Sequence, residues 1–181
     1  MAVSPTPVSS PTSSPTGTPE PIPNDWKTYH NTKYDFAIRY PDGWVVTAPG
    51  RGEARQATAS DSQITISRND ENDGIQVGIY KFMSEDIGSD FRSARNLDEY
   101  IRVLNQDPGA KARLTFSSDA GIDGRPARWS RACLSPYDTN SGCVQRVYLQ
   151  DQDFLYEITG SSYATTTASV IINSLRFPTH I

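Results

Sequence analysis

Cys133 and Cys143 enclose residues 134–142, a stretch rich in the turn-forming residues Ser, Pro, Asp, Asn and Gly. The flanking residues 127–132 and 144–150 have the composition of β-strands. The sequence therefore predicts a β-hairpin in which the two sulfur atoms face each other across its base.

The register of this hairpin supports a disulfide between the two cysteines. If the cysteines pair, Trp129 lies opposite Val147 and Ala127 lies opposite Leu149, so that apolar side chains share one face. A bridge that closes so short a loop contributes roughly 2.5–3 kcal/mol. Disulfides persist in oxidising compartments, so this interpretation favours an extracytoplasmic protein, with two separate reduced thiols as the alternative.

Residues 1–24 have the composition of a linker rather than of a folded domain. Seven of them are Pro, nine are Ser or Thr, and Glu20 is the only charged residue. Because prolines favour extended conformers and there is little apolar surface to bury, the segment is predicted to be a disordered tail. It would act as a linker, or as a stalk with O-linked sugars, ahead of a domain at residues 25–181. A lipid anchor upstream of the stalk would be one means of holding the domain at the outer face of a cell membrane.

Hydrophobic patterning predicts an α+β domain. Alternation with a period of two predicts strands, and spacing of three and four residues predicts helices at 97–106, behind the N-cap Asn96, and at 163–174. Apolar residues on both faces of the hairpins indicate an antiparallel sheet flanked by helices. The predicted strands cover residues 34–40, 44–46, 63–67, 75–79, 113–117, 127–132, 144–150 and 154–159.

The turns between these strands follow from their residue types. Asp123-Gly124 is predicted to form a tight turn, and residues 49–61 are predicted to form a loop. A turn at Asp151-Gln152 would set Arg146 opposite Glu157 as a surface ion pair of small energetic value.

Charge and motif content exclude several functions. The chain has 17 basic and 21 acidic residues, a net charge of −4, which argues against nucleic-acid binding. No apolar run approaches the 18 or so residues of a membrane-spanning helix. Neither His30 nor His180 has metal-ligand spacing to the cysteines, so we predict no metal and no cofactor. Residues 69–74 resemble a calcium loop, but Tyr80 stands where a bidentate Glu is required.

Arginines concentrate in the sequence around the predicted disulfide hairpin. Such residues are more often a solvated face paired with acids, but Arg and Tyr are also favoured at protein interfaces. The hypothesis of a partner-docking patch therefore includes Arg125, Arg128, Arg131, Arg146 and, at the hairpin tip, Tyr137.

Several separated motifs follow the pattern of one known domain family. The most specific is the aromatic-Pro-x-Gly-Trp element formed by Tyr40, Pro41, Gly43 and Trp44, which follows Trp26, Tyr29, Asn31, Tyr34, Phe36 and Ile38. Further motifs lie at 124–127, from Tyr148 to 156–158, and at 171–177. Together they resemble PsbP-like domains, which implies an α/β/α sandwich around an antiparallel sheet and carries no catalytic residues over. Plant members of this family are extrinsic photosystem II subunits of the thylakoid lumen. The stalk and the predicted disulfide favour instead the bacterial members that are secreted or lipid-anchored surface proteins.

These observations favour a non-enzymatic, surface-tethered accessory or binding module with a protein or cell-envelope partner. Two alternatives remain: a hydrolase that uses carboxylates, and a structural component of an envelope or filament.

Overall fold

The computed structural model describes residues 21–47, 62–68, 74–106, 114–118, 121–133, 143–160 and 165–178. Within these ranges the backbone forms nine strands, two α-helices and two short 3₁₀ helices, Glu85–Ile87 and Ser89–Phe91. The longer elements are β1 (Lys27–Asn31), β2 (Phe36–Tyr40), β3 (Trp44–Thr47), β4 (Gln63–Arg68), β5 (Gly74–Lys81), α1 (Leu97–Gln106), β6 (Leu114–Ser118), β7 (Ala127–Cys133), β8 (Cys143–Asp151), β9 (Phe154–Gly160) and α2 (Thr165–Asn173).

A seven-stranded antiparallel sheet in the order β3-β4-β5-β9-β8-β7-β6 is the central layer. Its last strand in sequence, β9, lies between β5 and β8. The N-terminal strands β3–β5 and the C-terminal strands β6–β8 are therefore joined only through β9 in this sheet.

Each face of the sheet carries its own apolar core, as the patterning predicted. Tyr156 and Ile158 of β9 belong to the core beneath α2, together with Trp129 and Val147. Leu155 and Tyr148 belong to the opposite core beneath α1 and the 3₁₀ helices. Because neighbouring residues of a strand point to opposite faces, the two helices pack on opposite sides of the same strands. The prediction of an antiparallel sheet between helices is confirmed.

β1, which no sequence pattern predicted, pairs with β2 as a separate two-stranded sheet on the α2 side. Two hydrogen bonds between Ala37 and Arg176, each 2.8 Å long, attach β2 to the chain after α2. The buried hydroxyl of Ser174 accepts from the backbone N–H of Arg39 at 2.8 Å. Phe36 and Ile38 are thereby held in the core of the main sheet.

The two helices lie where their spacing predicted them. At α1, Asn96 Oδ1 accepts from the N–H of Glu99 (2.9 Å), and the Glu99 carboxylate accepts from the N–H of Arg95 (2.9 Å). The arrangement is similar to a capping box, except that Glu99 bonds the N–H of Arg95, one residue before the N-cap. Gln150 Oε1 accepts from the N–H of Leu97 at 2.9 Å and fixes the start of the helix over β8. No helix of the described residues is long and apolar enough to cross a membrane.

The predicted register of the β7–β8 hairpin is confirmed. Ala127 pairs with Leu149, Trp129 with Val147, and Cys133 with Cys143. The Asp123-Gly124 turn is also confirmed, with both residues at positive φ (50° and 74°). The cysteine side chains, the hairpin tip, the whole of the predicted 49–61 loop and residues 69–73 lie outside the described part of the chain. The disulfide therefore stays a prediction.

The predicted β8–β9 register is wrong by two residues. Asp151 pairs with Phe154, so the turn is Gln152-Asp153 and begins one residue later than expected. Gln152 takes a left-handed conformation (φ 49°) to make it. The shift sets Tyr148, rather than Arg146, opposite Glu157. Because two residues are a full period of a strand, the faces of all these side chains are unchanged.

The register of β7 and β8 generates a test of the disulfide. We expect the double variant Cys133→Ser/Cys143→Ser to lose roughly 2.5–3 kcal/mol of unfolding free energy, because the unfolded chain is no longer cross-linked. Urea unfolding without reductant measures this difference. In matched unfolding with a thiol reductant, the natural chain should become as unstable as the variant. A natural chain that is indifferent to the reductant would contradict the disulfide.

Candidate functional site

A groove of about 270 Å³ lies on the α1 face of the sheet, over the half formed by β4, β5 and β9. α1 crosses the neighbouring part of this face, where Tyr100 contacts Tyr148 of β8 with ring centroids 5.6 Å apart. Among the described residues, the groove is lined by Gln63, Ile64, Thr65, Gln76, Val77, Gly78, Tyr80, Arg146, Glu157 and Thr159.

Strand alternation produces the polar lining. On β4, Ile64 and Ile66 point into the α2-side core and leave Gln63 and Thr65 on the groove side. On β5, the isoleucines and Val77 point to the same core, and Gln76, Gly78 and Tyr80 face the groove. The register then aligns these residues across strands: Gln76 lies between Thr65 and Thr159, and Gly78 lies between Gln63 and Glu157.

Gly78 and Tyr80 form part of the floor of the groove. The side chain of Tyr80 folds back over Gly78, so that a Cβ at Gly78 would lie 2.8 Å from the Tyr80 hydroxyl oxygen and 3.0–3.1 Å from two of its ring carbons. The absence of a side chain at residue 78 therefore lets the phenol lie close to the sheet.

Arg146 of β8 and Glu157 of β9 bring opposite charges to the lining of the groove. Arg146 Nε lies 3.4 Å from Glu157 Oε1, and the exposed fractions of the two side chains are 31% and 24%. The ion pair is diagonal across β8 and β9 and is largely buried, which corrects the expectation of a surface contact directly across the strands. Nε itself is buried and has no hydrogen-bond partner among the described residues.

Burial controls the ionisation of the side chains around this pair. Burial raises the pKa of the Glu157 carboxyl, and the positive charge of Arg146 opposes the shift. Burial, assisted by the charge of Glu157, also raises the pKa of Tyr148 to about 12. The pKa of Tyr80 is raised for the same two reasons. The phenols are therefore neutral hydroxyls at neutral pH and serve as hydrogen-bonding groups.

The structure distributes the arginines of the predicted docking patch over different places. Arg128 and Arg146 share the α1 face, where Arg128 donates to Asp98 of α1 at 2.7 Å. Arg131 is exposed and, by strand alternation, lies on the opposite face with Trp129.

Arg125 lies in the turn before β7, and its side chain contacts other residues of the chain. Its Nε donates to Asp151 at 2.9 Å, its guanidinium lies 4.9 Å from the ring centroid of Phe177, and Asp123 is 3.7 Å away. Tyr137 lies outside the described residues.

The groove lining was missed in the sequence analysis, apart from Arg146. A signal was present: Gln63, Thr65 and Gln76 alternate with buried isoleucines and valine on strands that are interior in the sheet. A polar face on several adjacent interior strands indicates a surface that no helix covers completely. The sequence does not reveal which strands are adjacent, because β9 enters the sheet between β5 and β8.

No group of three or more His, Cys, Asp or Glu side chains arranged to hold a metal occurs in the described ranges. His30 is exposed on β1. His180 lies outside the described residues.

Comparison with known proteins identifies the fold. No family model and no curated protein matches the sequence. The solution structure of cyanobacterial PsbP (CyanoP) from Synechocystis sp. PCC 6803 matches with a TM-score of 0.51 and 13% sequence identity, over 90% of this chain and 99% of that one. The domain has a PsbP-like fold. The resemblance that the aromatic-Pro-x-Gly-Trp element suggested is therefore confirmed at the level of the fold, and at this identity the PsbP-like likeness concerns architecture alone.

Replacing Glu157 tests how burial acts on its carboxyl. Because its folded-state pKa is raised above the ordinary 4.5, protonation of Glu157 favours the folded state. This contribution is fully present below pH 4.5 and is lost as the pH rises through the folded-state pKa. We expect the unfolding free energy of the natural chain, minus that of Glu157→Gln, to decrease as the pH is raised from 4.5 towards neutrality.

Urea unfolding at a series of pH values measures this difference. The matched control is Glu85→Gln, at an exposed residue of the first 3₁₀ helix. A difference that increases with pH would instead mean that attraction to Arg146 outweighs burial.

Proposed function

We propose that this PsbP-like domain is a non-enzymatic, extracytoplasmic accessory or binding module, tethered to the cell surface by its Pro/Ser/Thr-rich stalk. It binds a partner of the cell envelope through the groove between α1 and strands β4, β5 and β9. The observation that carries this proposal is the polar groove on the α1 face of the sheet, whose lining includes the largely buried ion pair of Arg146 and Glu157.

The chemistry of the groove supports binding rather than hydrolysis. Hydrolysis by carboxylates uses two of them in defined roles, one acid and one base or nucleophile. Among the described lining residues, Glu157 is the single carboxylate. Asp123 and Asp151 do converge elsewhere, but both contact the guanidinium of Arg125. No observation favours the hydrolase over the binding module.

The attachment of the tether supports the same function. The Arg39 side chain donates to the carbonyl oxygens of Pro23 (2.8 Å), Asn24 (3.4 Å) and Trp26 (3.5 Å). These bonds hold the end of the predicted stalk against the two-stranded sheet, on the α2 side of the domain. Since the groove is on the α1 side, a surface-anchored stalk would present the groove away from its point of attachment.

The arginine patch enters this proposal as an extension of the groove. Arg128 and Arg146 lie on the groove face, where Arg128 pairs with Asp98 of α1 and Arg146 pairs with Glu157. A partner that also contacts α1 would meet both ion pairs. Arg125, Arg131 and Tyr137 stay part of the wider hypothesis of a docking patch around the disulfide hairpin, whose bridge would place the domain in an oxidising compartment.

Site-directed cross-linking tests the proposed binding face. Gln76 is exposed at the groove, and Thr28 is exposed on β1 on the other side of the molecule. The full chain carrying Gln76→Cys, labelled with a benzophenone maleimide, is irradiated with cell envelopes of the native source, and the adducts are identified by mass spectrometry.

We expect the Gln76 label to give an adduct that the matched Thr28→Cys label does not give, and Arg146→Glu to abolish it. Identical adducts from both labels, or an adduct that survives Arg146→Glu, would contradict binding through the groove.

A further inference from the structure

From the composition and geometry of the groove we infer that its ligand is an uncharged, hydroxyl-rich molecule, a saccharide unit of an envelope glycan. This inference rests on the proposed function and specifies the chemistry of the partner.

The charges in the groove lining balance each other. Its described lining has one cation, Arg146, and one anion, Glu157, and these already form an ion pair with each other. An anionic ligand would compete with Glu157 for Arg146, and a cationic ligand would compete with Arg146 for Glu157. Either would leave the displaced partner without its counter-charge in a partly buried site, which is costly. A neutral ligand leaves the pair intact and complements the net charge of the groove.

The remaining side chains of the groove lining can both donate and accept hydrogen bonds. Gln63 and Gln76 each offer an amide that both donates and accepts, and Thr65, Thr159 and Tyr80 offer hydroxyls with the same property. The guanidinium adds donors and the carboxylate adds acceptors. A ligand that matches this lining must itself donate and accept at several adjacent atoms, as the hydroxyl groups of a saccharide do.

The sheet beneath the groove cannot bind an extended peptide through the peptide's backbone. The four strands under the groove, β4, β5, β9 and β8, each have a hydrogen-bonded neighbour on both sides. None of them therefore offers the free edge that a peptide strand needs to add to a sheet. Only side chains are available for recognition.

The size and the floor of the groove also match a saccharide unit. A volume of about 270 Å³ lies just below the range typical of pockets for drug-sized ligands, roughly 300–1,000 Å³. It suits a small ring or one unit of a longer chain. The half-buried Tyr80 ring over Gly78 adds an aromatic surface to the polar lining, and Tyr combines such a surface with a hydrogen-bonding hydroxyl.

Nuclear magnetic resonance titration of the isotope-labelled full chain tests the inference. The probes are the methyl glycosides of glucose, galactose, mannose and N-acetylglucosamine, each to about 50 mM, a concentration that reveals millimolar dissociation constants. Glucuronic acid, as an anion, and triglycine, as a peptide, are the comparison probes. The readout is the backbone amide resonance of Gly78, Glu157 and Thr159.

We expect at least one neutral glycoside to shift these resonances in a saturable manner. The double variant Gln63→Ala/Gln76→Ala should weaken that binding by at least about tenfold, because it removes two bidentate amides. The matched variant Thr28→Ala on β1 should leave the affinity unchanged, and the amide spectra of both variants verify that they are folded.

Three results would overturn the inference: shifts caused only by glucuronic acid or triglycine, no groove shift with any probe, or glycoside binding that survives the double variant. The two experiments distinguish failure of the saccharide inference from failure of the proposed function. If Gln76-dependent cross-linking succeeds while every glycoside fails, the groove is a binding site for a different ligand. If cross-linking fails as well, the binding function itself is contradicted.

Discussion

The position of β9 between β5 and β8 is the interaction on which the rest of the molecule depends. In the described sheet it joins two sets of three strands, and its alternating side chains supply both cores. Tyr156 and Ile158 close the core beneath α2, while Leu155 contributes to the core beneath α1. The same alternation places Glu157 on the α1 face, so the strand that joins the sheet also carries the acid of the candidate site.

The groove follows from an unequal covering of the two faces. On the α2 side, α2 and the β1–β2 sheet lie over large apolar side chains from most of the strands. On the other side, α1 packs over β8, and the side chains of β4, β5 and β9 that line the groove next to it are amides, hydroxyls, a glycine and the carboxylate of Glu157. An ion pair of Arg146 and Glu157 is tolerated there because each group stays partly exposed while the other compensates its charge. A binding surface and a stable sheet thus use alternate residues of the same strands.

Much of the architecture is predictable from local patterns. The hairpin of β7 and β8, the capping of α1 by Asn96 and the turn at Asp123-Gly124 each depend on residues close in sequence, and each was predicted correctly. The β8–β9 register was not predicted correctly, because a shift of two residues leaves the same side chains on the same faces. Only the left-handed conformation of Gln152 distinguishes the observed register from the predicted one. β1 escaped prediction because it is short and mostly exposed, and its stability comes from pairing with β2. The groove was not predicted because it depends on which strands, distant in sequence, become neighbours in the sheet.

The central claim is that the β4–β5–β9 half of the α1 face is open in the native protein, and cysteine accessibility tests it most directly. Thr159→Cys places a thiol in the groove, Thr28→Cys places one on the exposed surface of β1, and Ala168→Cys places one in the α2-side core. Each is made in the background Cys133→Ser/Cys143→Ser, and its rate of maleimide labelling is measured on the folded chain. An open groove predicts that the thiol at residue 159 reacts at a rate comparable to that at residue 28. A thiol at residue 159 that is protected as strongly as the one at residue 168 would mean that this face is covered, which would contradict the account.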